Sequence, residues 1–321
     1  DEVQDPPRAP DGLPPLPDGI DRVALDDLGL LPRVPWDEGL RNAWRPGETG
    51  ARQRLDAFLS GPIDDYDSAR DIPAQEGTSR LSPHLHWGEI GPRQVLAAIR
   101  GAGRDTDGSD AFVRELGWRE FSHQLLYHFP HIPTEPLDPR FADFPWRDED
   151  ADALLDAWQR GRTGIPIVDA GMRELWHTGW MHNRVRMVVA SLLTKNLRLH
   201  WLEGARWFWD TLVDADLANN TQGWQWTAGS GADAAPYFRI FNPVRQGERF
   251  DPDGAYVRRW CPELAGLPTK LLHQPWEASA SQLKEAGIGS GREAVTPIID
   301  LKDSREAALA AYDRIKTAAN D

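Results

Sequence analysis

From about Trp36 onward, apolar residues return every three or four positions, and nowhere do they alternate with polar ones over a run long enough for a strand. Such a chain has to bury its apolar stripes helix against helix. Candidate helices cover 48–60, stopped by Gly61-Pro62, and a stretch opened by Gly91-Pro92 with Val95, Leu96 and Ile99 on one face. Others cover 110–129, stopped by Pro130, then 151–160, 167–178, 180–199, 203–213 and, last, 304–317. Ser82-Pro83 reads as an N-cap followed by proline at the first helical position. Ahead of Trp36, Pro6, Pro7, Pro10, Pro14, Pro15 and Pro17 forbid regular structure. The expected organisation is an acidic, Pro-rich linker over 1–35 and an all-α, multi-helical domain over 36–321, without internal repeats.

Charge sets the next bound. The formal net charge of −14 is unfavourable for binding phosphate, but it is unevenly spread. Acidic residues crowd the first thirty positions and the stretch from Asp143 to Asp156. Arg173, Arg184, Arg186, Lys195 and Arg198 face a single acid, Glu174, in a later stretch, and Arg239, Arg245 and Arg249 follow. A basic face on an acidic body is therefore open to the chain, as are ordinary solvated arginines. The single cysteine, Cys261, excludes an internal disulfide and any multi-cysteine metal site, which fits a reducing compartment. His84-Leu85-His86 and His123, His128 and His131 lack a closing set of acids or thiolates, so no metal is expected. No run approaches the roughly 18 apolar residues of a membrane span.

Several segments have chemistry beyond packing. Gly77 to Pro83 brings three hydroxyls and free backbone N–H groups to a helix start, which suits a phosphate and equally suits a plain capping loop. Gly229-Ser230-Gly231-Ala232-Asp233-Ala234 matches a weak dinucleotide pattern but follows no strand, and is set aside. Helical spacing puts Glu115, Trp118 and Ser122 on one stripe, and Asn183, Arg186 and Met187 on another with Trp180 a turn earlier. A polar amide and a cation beside Met and Trp suit a flat ligand with polar edges. Asp214 is a candidate partner for Arg186, because a buried unpaired guanidinium is too costly. Fifteen tryptophans are far more than core packing usually takes, which raises the question of stacking or electron relay.

The run from Asp214 through Trp226, continued by 234–243, strongly resembles the photolyase/cryptochrome family, and so do 78–83, 115–121, 164–170 and 179–187. The resemblance keeps its order from about Trp36 to Tyr312 and is nearest to the cyclobutane pyrimidine dimer photolyases. It implies a helical domain holding non-covalent FAD, with the α/β antenna domain of relatives absent from this chain and the antenna pigment unknown. By position, Tyr66, Thr78, Ser79, Arg80, Leu81 and Ser82 would hold the ribose and diphosphate side, with Phe112 where relatives often carry tryptophan. Asn183, Arg186, Asp214, Ala215 and Asp216 would line the ring systems, and Asn220 would face the flavin N5.

The same resemblance implies the partner, DNA carrying pyrimidine dimers. Photolyases are a known case of enzymes that act on a flipped base. Trp118 and Trp226 match the two aromatic walls of the lesion site; Glu115 would bond base edges, and Met187 would pack beside the dimer. Asn183, Arg184, Arg70, Arg119, Ser122, Arg239 and Gln246 match positions for strand or lesion contacts. Trp224, Trp201 and Trp146 match the family's electron relay, with core packing as the plain alternative for each. The expected activity is light-driven dimer repair by electron transfer from excited reduced FAD, in a monomeric, cytoplasmic protein. Asn220 and Trp226 favour repair over a cryptochrome photoreceptor. Asn183 and Met187 stand where six-four photolyases are expected to carry histidines. A non-enzymatic helical DNA- or protein-binding module is the third alternative.

Overall fold

A computed structural model describes residues 3–8, 10–12, 14–234, 238–288 and 295–318. Ala235, Pro236 and Tyr237 of the resemblance run lie outside the described residues, as do 1, 2, 9 and 13 of the expected linker and 319–321 of the expected domain. The described residues form helices and turns, with no strand among them. Before Trp36 the only regular element described is one 3-10 turn, Leu25–Leu28. Leu16, Ile20, Val23, Leu30, Leu31 and Val34 are exposed along this segment.

Two apolar cores organise the domain. The smaller is built by helices Glu48–Leu59, Pro92–Gly101 and the first half of Asp107–His128, which contribute Leu55, Phe58, Val95, Ile99, Ala111 and Phe112. Thr106 and Ser109 cap the long helix reciprocally, which satisfies N–H groups that would otherwise be orphaned. Gly108 is needed where it stands, since a Cβ there would lie 2.2 Å from the Ile63 carbonyl oxygen. The larger core collects Pro166–Thr178, Asn183–Ser191, Trp201–Thr211, Leu217–Ala228 and Ala255–Trp260. Helix Asp107–His128 bridges the two, because its later turns pack on Leu217–Ala228. A third cluster joins Phe141 and Phe144 to Ala311 and Ile315 of the last helix, Leu301–Ala318.

The expected single helix over 180–199 is corrected. Gly179 adopts a left-handed φ of 68° and ends the preceding helix, so a new one starts only at Asn183 behind the His182 side chain, which accepts from the Arg184 N–H. The same stretch widens into a π turn over Leu192–Asn196, where the buried Lys195 ammonium donates to the Ala228 carbonyl at 2.6 Å. Helix Leu217–Ala228 was not marked by apolar periodicity, since Asn219, Asn220, Gln222 and Gln225 interrupt it. Its signal is local: Asp216 accepts from the Asn219 N–H as N-cap, and Gly229 closes it with φ 96°.

Candidate functional site

A cleft opens where the two cores meet, in two joined chambers. One, of about 290 Å³, is walled by Tyr66, Phe112, the loop from Thr78 to Ser82, Trp180 and Met181. The other, of about 450 Å³, is walled by Trp118, Met187, Asn220, Trp224 and Trp226. Arg70, Glu115, Arg119, Asn183, Arg186, Asp214, Asp216 and Asn219 border both. Chambers of this size are on the scale of small-molecule sites, about 300–1,000 Å³.

The polar floor between the chambers is an ion pair. Arg186 donates to Asp214 Oδ2 at 2.8 Å and to the Met181 carbonyl at 2.7 Å. The Asp214 side chain is 2% exposed, and its Oδ1 has no donor. A buried carboxylate oxygen left without a partner costs about 1–3 kcal/mol or more, so the cleft is built to receive a donor there. Asp216 sits beside it, tied to the Asn219 N–H and side-chain amide and within 3.5 Å of Arg119. These bonds and the Arg119 charge outweigh desolvation and hold its carboxyl below the usual range. The loop at the other end approaches Tyr66–Ala69 closely: a Cβ on Gly77 would lie 2.6 Å from the Ala69 carbonyl oxygen. Arg80, at a left-handed φ of 51°, lies 4.7 Å from the Trp180 ring.

Donor by donor, the cleft fits FAD. Thr78, Ser79 and Ser82 offer hydroxyls at the small chamber, as a diphosphate and sugar require, and Asp214 Oδ1 awaits an N–H such as a flavin or purine edge carries. Comparison with known proteins agrees. The family described as the FAD binding domain of DNA photolyase matches residues 112–314. The chain belongs to the FAD-binding domain family of DNA photolyases.

Relatives of this FAD-binding domain include a deoxyribodipyrimidine photo-lyase of Agrobacterium fabrum, 51% identical over 91% of the chain and 61% of the relative. Cryptochrome-2 of Arabidopsis thaliana is 40% identical over 92% of the chain and 50% of its own length. The crystal structure of a bacterial class III photolyase from Agrobacterium tumefaciens superposes with a TM-score of 0.87 at 50% identity, over 92% of this chain and 61% of that one. The chain thus spans between half and two thirds of these relatives.

The structure brings most of the expected site residues to the cleft. Tyr66, Thr78, Ser79, Arg80, Leu81, Ser82 and Phe112 line the small chamber, and Trp118, Ser122, Met187, Ala215, Asn220 and Trp226 the large one. Glu115 is already paired with Arg70 at 2.5 Å, both partly exposed. The Asn220 amide donates to the Ala205 carbonyl at 2.9 Å. Arg184, Arg239 and Gln246 line neither chamber. Arg184 pairs with Asp71 at 2.7 Å, Arg239 lies 5.6 Å from the Trp226 ring, and Gln246 Oε1 is buried without a partner. Asn219 borders both chambers and was not expected there; an amide three residues after the N-capping Asp216 is the signal that marks it.

Of the three tryptophans expected to form a relay, Trp224 is buried on the wall of the large chamber and Trp201 is buried in the larger core. Trp146 is half-buried and joined to Trp201 through His200, with ring centroids 5.0 Å and 5.9 Å apart. A Cβ on Gly204 would lie 2.0 Å from Trp224, so the helix bearing Trp201 presses directly on the Trp224 ring.

Proposed function

We propose that this chain is the FAD- and lesion-binding part of a photolyase that repairs cyclobutane pyrimidine dimers in DNA under blue light. The observation that carries the proposal is the large chamber. It sets two indoles, Trp118 and Trp226, with Met187, against the Arg186–Asp214 floor that it shares with the small chamber. A flipped dimer offers two apolar faces and polar edges, and stacking on an aromatic side chain contributes about 1–3 kcal/mol per base. Bound FAD would supply the light-driven electron that splits the dimer and then recover it.

The chain's own residues do the rest in this reading. Thr78, Ser79, Ser82 and Arg80 hold the diphosphate side. Asp214 and Arg186 fix the ring edges, with Asn183, Ala215 and Asp216 beside them and Asn220 facing the flavin. Glu115 exchanges its bond to Arg70 for the base edge, where its carboxylate accepts from a ring N–H. Trp224 on the chamber wall, the buried Trp201 and the half-buried Trp146 serve as an electron relay in this reading. Arg70, Arg119 and Ser122 border the lesion chamber; Arg184, Arg239 and Gln246 serve the strand outside it.

The test is a thymine-dimer oligonucleotide incubated with FAD-loaded, reduced protein under blue light. Repair that needs both light and reduced flavin is the expected result, with Trp226→Ala weakening binding of the damaged oligonucleotide about tenfold while FAD content holds. Absence of repair with reduced flavin bound overturns the proposal and favours a blue-light receptor, the reading that the 40% identity to Cryptochrome-2 supports.

A further inference from the structure

Behind the floor of the FAD cleft stands a buried acid that the repair reading does not use. Glu174, on helix Pro166–Thr178, is 4% exposed and lines neither chamber. Its Oε2 accepts from Tyr256 Oη at 2.6 Å and from the His182 N–H at 3.3 Å. The peptide that supplies this N–H joins Met181 to His182, and its carbonyl accepts from Arg186 at 2.7 Å. Arg186 in turn donates to Asp214 at 2.8 Å. One peptide unit therefore ties the Glu174 carboxyl to the guanidinium on the cleft floor. Hydrogen bonds in series polarise one another, so charge at one end is felt at the other.

The cations that act on Glu174 are already matched. Arg186 is paired with Asp214, and Arg80 lies 3.4 Å from Glu76. Of the two titratable residues bonded to the acid, burial keeps Tyr256 neutral by raising its pKa well above the ordinary value. Burial also lowers His182 to about 4, despite Asp71 and with the help of Arg186, Arg184 and Arg80, so this ring is neutral near pH 7. Among the described residues an ionised Glu174 thus has no cation of its own, a costly state for a buried carboxylate. Burial accordingly pushes its carboxyl up to about 7 against the Tyr256 and His182 bonds. FAD brings the negative charge of its diphosphate to the same cleft, which Arg80 and Arg186 border.

We propose that Glu174 takes up a proton when FAD enters the cleft, which releases the field of Arg80 and Arg186 to the cofactor. The proton comes from solvent and returns to it when FAD leaves. Glu174 is a positioning residue here, acting through the Met181–His182 peptide and Arg186. The inference rests on FAD occupying the cleft and not on the lesion chemistry. By linkage, FAD binds most tightly where Glu174 is protonated, and its affinity falls as pH rises through the window of that carboxyl.

Titration of FAD into the full chain from about pH 5.5 to about pH 9 tests the proposal against Glu174→Gln, which is permanently neutral and keeps an acceptor for Tyr256 and His182. The two proteins should bind FAD equally at the acid end. At the alkaline end the variant should bind about tenfold more tightly, for a rise of about one unit in the Glu174 pKa on binding. His86 and His123, which face Asp216 at 3.7 Å and 3.5 Å, are present in both proteins, so the difference between them reports Glu174. Calorimetry in buffers of different ionisation enthalpy should show about half a proton more taken up per FAD by the wild type near pH 7.5. Tyr256→Phe removes a bond that favours the carboxylate, so its affinity should begin to fall at a higher pH than in the wild type, a shift that a purely structural role would not produce. FAD binding with one pH profile in wild type and Glu174→Gln, or equal proton uptake by the two, overturns this proposal alone. No FAD binding at any pH overturns the cofactor reading with it.

Discussion

At the scale of single residues, the cleft depends on unequal partners. Asp214 is nearly sealed, whereas Arg186 is 25% exposed and has a second acceptor in Met181. Removing the carboxylate therefore strands a partly solvated guanidinium. Asp214→Ala should cost about 2 kcal/mol of stability, less than for a fully buried pair. It should weaken FAD binding more than tenfold, read by denaturant melts and by flavin-fluorescence titration. The pairing of Arg186 with Asp214 was legible in the sequence, because an arginine on an apolar face needs an acid and Asp214 was at hand. The prior pairing of Glu115 with Arg70, and of Arg184 with Asp71, was not. Those contacts join residues 45 and 113 positions apart, a closeness that no local spacing encodes.

At the scale of elements, the domain depends on close helix contacts. Helix Trp201–Thr211 meets Leu217–Ala228 where Gly204 gives room for the Trp224 ring. In Gly204→Ala the methyl would overlap that ring, and packed cores charge about 1–3 kcal/mol for such overpacking. A melting temperature lower by several degrees is expected, since each kcal/mol shifts a domain of this size by about 2–4 °C. Light-driven reduction of bound FAD should slow as well if Trp224 shifts, which transient absorption would follow. Lys195 shows another element-level device. Its side chain donates to the last carbonyl of Leu217–Ala228, with Phe238 3.2 Å away, and burial pushes its pKa well below the ordinary value.

At the scale of the whole molecule, three helices of the larger core converge on one acid. Glu174, 4% exposed, accepts from Tyr256 Oη at 2.6 Å and from the His182 N–H at 3.3 Å. Burial pushes its carboxyl from 4.5 up to about 7, only partly opposed by the Tyr256 and His182 bonds. The folded state thus binds this proton more tightly than the unfolded chain does. Its contribution to stability is full below pH 4.5, declines as pH rises toward 7, and is spent above that. His182 works oppositely, because burial lowers its pKa from 6.5 to about 4 and stability falls as pH drops through that window. Glu174→Gln removes only the first effect. Relative to the wild type, the variant should gain stability as pH rises from about 5 to 8, measured by urea melts across that range. A constant difference would show that Glu174 does not titrate there.

The amino-acid sequence alone determined the helical class and, through motifs in one order, the family of this FAD-binding domain. It could do so because helical periodicity, caps and motif spacing are local properties of a chain. Only the tertiary structure decided which chamber each residue borders, that Arg184, Arg239 and Gln246 stand outside both, and that Asn219 stands between them. It alone placed Glu174 and Arg186 at the two ends of one peptide unit. Those placements follow from how two cores meet, and the free energy that sets the meeting is burial summed over residues far apart in the chain.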